Sequence, residues 1–251
     1  MASPVVEFGI MGIAVLLAVT FVVGVSSAAR RAGAAPAARR RQTWGAAFGV
    51  AALMGFFAAL AVSGLLGRFE LRPPPLMLWM LTTLGAALAV GLSPLGQRLA
   101  KELPLAALIG FQAFRLPLEL VMHRAAAEGV MPSVMSYGGY NFDIVSGATA
   151  LVLGAVLTRS AVPRSLVVAW NVLGAVLLAN IVTIAVLATP LIRAFGDAQL
   201  NVWITRFPYC WMGVMVGAAL LGHVLVTRRL LLTGASGTGL PEHRKRDVVL
   251  L

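Results

Sequence analysis

The chain has 251 residues, 59% of them hydrophobic and 12% charged, with a mean hydropathy of +0.90; this excludes a soluble globular domain and fits a multi-pass membrane protein. Its net charge of +11 does not call for nucleic acid, because the basic residues stand in short clusters between apolar runs, as expected for loops on the inner side of a membrane. The lone cysteine, Cys210, excludes an internal disulfide and a thiolate metal site.

The first apolar run covers residues 5–28, long enough for a hydrocarbon core of ~30 Å at ~1.5 Å per residue. Arg30, Arg31, Arg39, Arg40 and Arg41 follow it and no basic residue precedes it. That is the reverse of a secretory signal, so an uncleaved helix with its N-terminus outside is expected. Further spans are predicted at 44–67, 76–95, 105–127, 142–158, 166–188 and 208–228. Between them lie an Ala/Arg/Pro-rich inner loop at 29–42 and an outer turn stiffened by Pro73, Pro74 and Pro75. After residue 232 comes a Gly/Ser tract and then His243, Arg244, Lys245 and Arg246, a tail expected to be disordered.

The predicted fold is therefore all-α: a polytopic bundle of seven transmembrane helices over residues 1–232, with a basic cytoplasmic tail at 233–251. Seven spans place the N-terminus outside and the C-terminus inside. The loops agree, since 14 basic residues fall on the inner side against 5 on the outer side, namely Arg68, Arg72, Arg124, Arg193 and Arg206.

The fourth span carries Gln112, Arg115, Glu119 and His123. At ~100° per residue these fall at ~0°, ~300°, ~340° and ~20°, one narrow polar stripe on an apolar helix. Ionisable groups at membrane depth are costly; they face the protein interior or a wet cavity, pair with one another, and mark a functional site by default. Arg115 is expected near mid-membrane, with Glu119 ~6 Å and His123 ~12 Å further out, and the i,i+4 spacing lets Arg115 and Glu119 share charge along the helix. Pro117 frees the carbonyl of Ala113 and predicts a kink.

Asn141 suits the N-cap of the fifth span and Asp143 its first turn, a capping role that competes with a site role. Asn180 and Thr183 share an outward face of the sixth span, while Asn171 lies on the opposite face. Trp203 and Arg206 form a short amphipathic piece that could lie in the interface or cover the site. Asn171 and Asn180 also fit plain interhelical hydrogen bonding, and the pairs Gly45/Gly49 and Gly213/Gly217 have the spacing of close helix packing. His223 is expected in the inner half near Arg228 and Arg229, ~20 Å from His123, as an interfacial histidine rather than a shared ligand.

Several seven-helix chemistries are disfavoured. A retinal protein needs a lysine in the last span, and the two lysines are Lys101 and Lys245. Seven-helix zinc amidases need several embedded histidines, and no Gly-x-Ser-x-Gly elbow is present for a serine hydrolase. The words FRLPLELVMHRAAAEGVMPSVMSYGGYNFDIVSG, AWNVLGAVLLANIV, ATP, RFPYCW and LGHVL, within 105–229, resemble a family of uncharacterised small bacterial multi-pass membrane proteins. The resemblance implies that Arg115, Glu119, His123, Asn141, Asp143, Asn171, Asn180, Pro208 and His223 match the family pattern, and it implies no reaction. Ser136 and Gly138 depart from the threonine and glutamate common there.

The expected function is that of a bacterial inner-membrane protein in contact with the lipid bilayer, with an outward-facing polar pocket. Its ligand-binding residues would be Arg115, Glu119, His123, Asp143, Asn141, Asn180 and Gln112, holding a small ligand or ion with proton exchange as an added expectation. No cofactor or resident metal is assigned. Two other readings stay open: an intramembrane enzyme or metal site on Glu119, His123 and Asp143, and a structural or partner-binding protein whose stripe only pairs helices.

Overall fold

The computed structural model describes residues 3–235, and among them there are helices, turns and loops but no strand. Proline starts many of the helices, since at the first helical position its missing N–H has no intrahelical acceptor to lose. Pro4 opens α1 (Pro4–Arg31), Pro36 opens α2 (Pro36–Val62), Pro75 opens α3 (Pro75–Leu92) and Pro94 opens α4 (Pro94–Glu102). Two helical pieces, α5 (Leu105–Gly110) and α6 (Arg115–Ala127), are joined by a 3-10 turn at Phe111–Phe114. Then follow α7 (Ile144–Leu157), α8 (Arg164–Leu187) and α9 (Met212–Ala235).

Among the described residues six helices are long and apolar enough to cross a membrane: Pro4–Arg31, Pro36–Val62, Pro75–Leu92, Leu105–Ala127, Arg164–Leu187 and Tyr209–Thr233. The helix expected at 142–158 has 14 residues, ~21 Å, and is shorter than a hydrocarbon core. The large apolar side chains left outside the core, such as Phe8, Phe48, Phe56, Leu81, Leu151 and Val176, suit a chain whose solvent is lipid.

Several boundaries differ from the sequence expectation. The inner loop at 29–42 shrinks to residues 32–35, because the Ala/Arg run from Pro36 is a good helix former and extends α2. The third span stops at Leu92, and Ser93 caps a separate α4, its hydroxyl accepting from Gly96 N–H at 3.2 Å. The last helix runs past the expected end at 228 to Ala235; the basic cluster of the expected tail, at 243–246, lies outside the described residues.

Two apolar clusters make up the core. One holds Val6, Ile10, Phe57, Trp79, Leu118 and Trp203; the other holds Val25, Leu99, Ile109, Val167 and Leu230. The second lies at the basic end, where Arg228 Nη1 donates to the carbonyls of Gly91 (2.6 Å) and Ser93 (2.8 Å), and Arg229 donates to those of Ala100 and Lys101. These arginines satisfy backbone acceptors left over where α3 and α4 end.

At the opposite end α6 stops in a Schellman turn: Gly129 has φ +68°, Val130 N–H donates to Ala125 and Gly129 N–H to Ala126. Glu128, beside that turn, accepts from the Ser3 backbone N–H at 2.8 Å and from Arg124 Nε at 2.5 Å, tying the start of α1 to α6. These donors hold its carboxyl down to about 2, the Ser3 N–H contributing most. A lowered carboxylate supports the fold above its unfolded range near ~4.3 and loses that support as pH falls toward 2. Glu128→Gln is thus expected to fray the first turn of α1 at pH 6 as acid does in the native chain. Faster amide exchange at Val5–Phe8 would register this, and unchanged exchange would refute it.

Helices α5, α6 and α7 pack with their backbones close. A Cβ placed on Gly147 would lie 2.9 Å from the carbonyl carbon of Arg115, and one on Gly154 would lie 2.8 Å from Gly110 Cα. Since backbone cannot swing aside, Gly147→Ala is expected to cost ~1–3 kcal/mol, read as a lower melting temperature in detergent. Gly12→Ala, where a Cβ meets nothing within 4 Å, is the control and should not lower it.

Candidate functional site

The polar side chains of the fourth span sit between the two apolar clusters. Ile109 belongs to one cluster and Leu118 to the other; on α8 the same divide falls between Trp170 and Leu178, and on α9 between Leu225 and Ala219. Gln112, Arg115, Asn171 and His223 occupy that boundary layer, at mid-bundle, and Glu119 follows one turn nearer the end away from the basic cluster.

Arg115 is the centre. It is 1% exposed, and its Nε donates to Asp143 Oδ2 at 2.6 Å while Nη2 pairs with Oδ1, a bidentate fork on a carboxylate only 5% exposed. Nη1 lies 2.9 Å from His223 Nε2, and both terminal nitrogens reach Gly174 O at 3.4 Å. A guanidinium nitrogen only donates, so His223 Nε2 accepts and its proton resides on Nδ1, which faces Asn171 Oδ1 at 2.9 Å. Asn171 Nδ2 in turn donates to Thr227 Oγ1 at 2.9 Å. The geometry therefore specifies one tautomer of a neutral imidazole.

Glu119, 2% exposed, does not pair with Arg115 along the helix. Its two oxygens both accept from Asn141 Nδ2 at 2.8 Å, while Asn141 Oδ1 accepts the backbone N–H of Asp143 at 3.1 Å. The i,i+4 pairing expected from spacing is displaced: Asp143 takes Nε and Nη2 of Arg115 on its two oxygens, and both Glu119 oxygens are taken by Asn141. The capping role expected of Asp143 is also replaced: its side chain makes no cap bond to α7 and goes to Arg115.

The expectation for His223 is overturned. It is 3% exposed and bound to Arg115 at mid-bundle, not an interfacial residue. The reason is the longer last span: in Tyr209–Thr233 position 223 is close to the middle, whereas a span ending at 228 would have put it near the edge. Asn171, expected on a face away from the site, joins it through His223. Gly174 makes the room, since a Cβ there would lie 3.0 Å from His223 Nε2.

The other expected residues are placed apart. Gln112 is fully buried, but its Nε2 donates to Ala219 O at 2.9 Å and ties α9 to the 3-10 turn one turn ahead of Pro117. His123 is half-buried and stacks on Tyr137 at 4.2 Å, outside the Arg115 network. Asn180 Nδ2 donates to Tyr140 O at 2.8 Å on the bundle exterior. Gly213 packs as its spacing suggests, a Cβ there lying 2.8 Å from Phe57 and Trp79, but at Gly45 and Gly49 a Cβ would meet nothing within 4 Å.

A cavity of about 50 Å³ adjoins the network, lined mainly by apolar side chains and bordered also by Arg115, Glu119, Asp143, Trp79, Asn201 and Trp203. That is room for a guest of water size. Trp79 Nε1, Trp203 Nε1 and Asn201 Oδ1, on residues that border this mainly apolar space, are buried without protein partners. Trp203, expected in an interfacial piece or a cover, is a buried wall of this cavity, and Arg206 is exposed beyond it. Among the described residues no three of histidine, cysteine, aspartate and glutamate gather to hold a metal, so Glu119, His123 and Asp143 form no such centre. Comparison of the chain with protein-family models, curated proteins and solved structures returns no match.

Proposed function

We propose that the chain is a seven-span bacterial inner-membrane protein, N-terminus outside, whose buried cluster takes up a proton or a small monovalent cation from the outer side. The observation that carries this is a charge count. Of the aspartate, glutamate, histidine, lysine and arginine side chains in the described residues, the buried ones are Arg115, Asp143, Glu119 and His223; Arg115 is spent on Asp143 and His223 Nε2 is an acceptor, so the Glu119 carboxylate has only the Asn141 amide. An ion without a counter-charge at this depth costs several kcal/mol. A proton on Glu119, or a cation in the adjoining cavity, completes the balance.

The finer topology rests on two supports. Non-helical backbone at membrane depth is tolerated where protein buries it. Met131, Met135, Ser136 and Asn141, ahead of the short α7, are all buried, which supports reading that segment with α7 as a seventh crossing. The basic cluster at one end of the bundle supports the orientation. The motif resemblance supports membership of the small bacterial multi-pass family.

The test is the melting temperature of the purified protein across pH and across lithium, sodium and potassium chloride at constant ionic strength. A dependence on pH or on one cation is expected. A flat response to all of them sinks the proposal. In that event the helix-pairing reading stands, which the nearly complete hydrogen bonding of Arg115 also supports.

A further inference from the structure

A second cavity, about 610 Å³, lies between α1, α2, α3 and α9, on the other side of α9 from the Arg115 network. Its walls are apolar apart from three residues: Thr83 at the deep end, and Gln42 and Arg98 at the basic end, where Arg98 Nη1 donates to Gln42 Oε1 at 2.6 Å. Along α2 it extends from Gln42 to Leu53, ~16 Å at the rise of a helix. That is half of a ~30 Å hydrocarbon core, the depth of one leaflet.

Gly45 and Gly49 line this wall and face open space, so here the small residues create volume instead of bringing helices together. Among the described residues Arg98 has no carboxylate partner, and neither have Arg39, Arg40 and Arg41 on the first turns of the neighbouring α2. A volume of ligand size, apolar along one leaflet and cationic at its mouth, is complementary to one kind of molecule.

We propose that this cavity holds an acyl chain of an anionic phospholipid drawn from the leaflet at the basic end, with Arg98 on its phosphate. The guanidinium fork matches phosphate oxygens, and the run at Arg39–Arg41 adds attraction for a net negative headgroup. Gln42 orients Arg98 toward the mouth. The proposal is independent of the proton or cation site, since the two cavities share no lining residue.

Native mass spectrometry of the full chain in detergent tests it, with phosphatidylglycerol and phosphatidylcholine of the same chains offered at equal concentration. One phosphatidylglycerol per chain is expected, retained about tenfold over phosphatidylcholine, since a charge-assisted hydrogen bond is worth about that factor. Arg98→Gln is expected to remove most of the preference, leaving only what Arg39–Arg41 supply, and Gly49→Leu, which fills the cavity, to reduce both lipids. Melting curves check that each variant folds; if Gly49→Leu does not, Arg98→Gln with the wild-type comparison decides. Equal retention of the two lipids by the wild type, no effect of Arg98→Gln, or a second copy of the chain held in place of lipid would overturn the proposal.

Discussion

Replacing Arg115 with leucine is expected to be the most damaging single change in the membrane interior. It leaves the Asp143 carboxylate buried without its cation, and removes the donor to His223 Nε2 and Gly174 O. Breaking one side of a buried pair in this way costs ~3–5 kcal/mol. At ~2–4 °C per kcal/mol for a chain of this size, the melting temperature should fall by roughly 10 °C, or the protein should fail to accumulate. The double variant Arg115→Leu with Asp143→Leu is expected to recover most of the loss, because a buried pair replaced by apolar groups is often neutral. A loss below ~1 kcal/mol in the single variant would show that the pair does not hold α6, α7, α8 and α9 together. The double variant has a second use: it keeps Glu119 without a counter-charge, so by the same charge count its response to cations should persist while the ion pair is gone.

Glu119→Gln is expected to abolish the response of stability to cations, and to protons above the ordinary carboxylate range near ~4.3, while leaving the fold and the acid response of Glu128 intact. The amide keeps the shape of the side chain and its oxygen can still accept from Asn141 Nδ2, while its NH2 must turn away from that donor, since both Glu119 oxygens now lie 2.8 Å from it. What disappears is the unmatched charge. A ligand present at a hundredfold excess over its dissociation constant stabilises by ~2.7 kcal/mol, or roughly 5–10 °C in a chain of this size, and that shift should vanish. Asn141→Ala should act differently, lowering stability at every pH, because it strips Glu119 of its donor and Asp143 N–H of its acceptor. If Glu119→Gln retains the full response, the charge count does not describe the site.

Much of this protein is legible from residue order. The run of apolar residues in 5–28, the proline starts and the basic clusters follow from local chemistry: lipid demands helices of a certain length, and proline and arginine act within a turn of where they stand. Arg115, Glu119 and Asp143 stand out for the same reason, as ionisable residues where hydrocarbon tolerates few.

Partners are another matter. Helical spacing alone pointed Arg115 at Glu119, Asp143 at its own helix N-terminus and His223 at the interface; in the bundle Arg115 takes Asp143 and His223, and Glu119 takes Asn141. Gly45 and Gly49 have the spacing of a tight crossing and instead border open space, while Gly147, one glycine among 26, admits α7 against the backbone of Arg115. The sequence by itself determined the elements, the bias of charge between the ends and the residue types placed in oil, because those depend on neighbours within a few positions. Only the tertiary structure decided which charges meet and where space remains, because hydrogen bonds and cavities depend on how helices distant in the chain are rotated and set against one another.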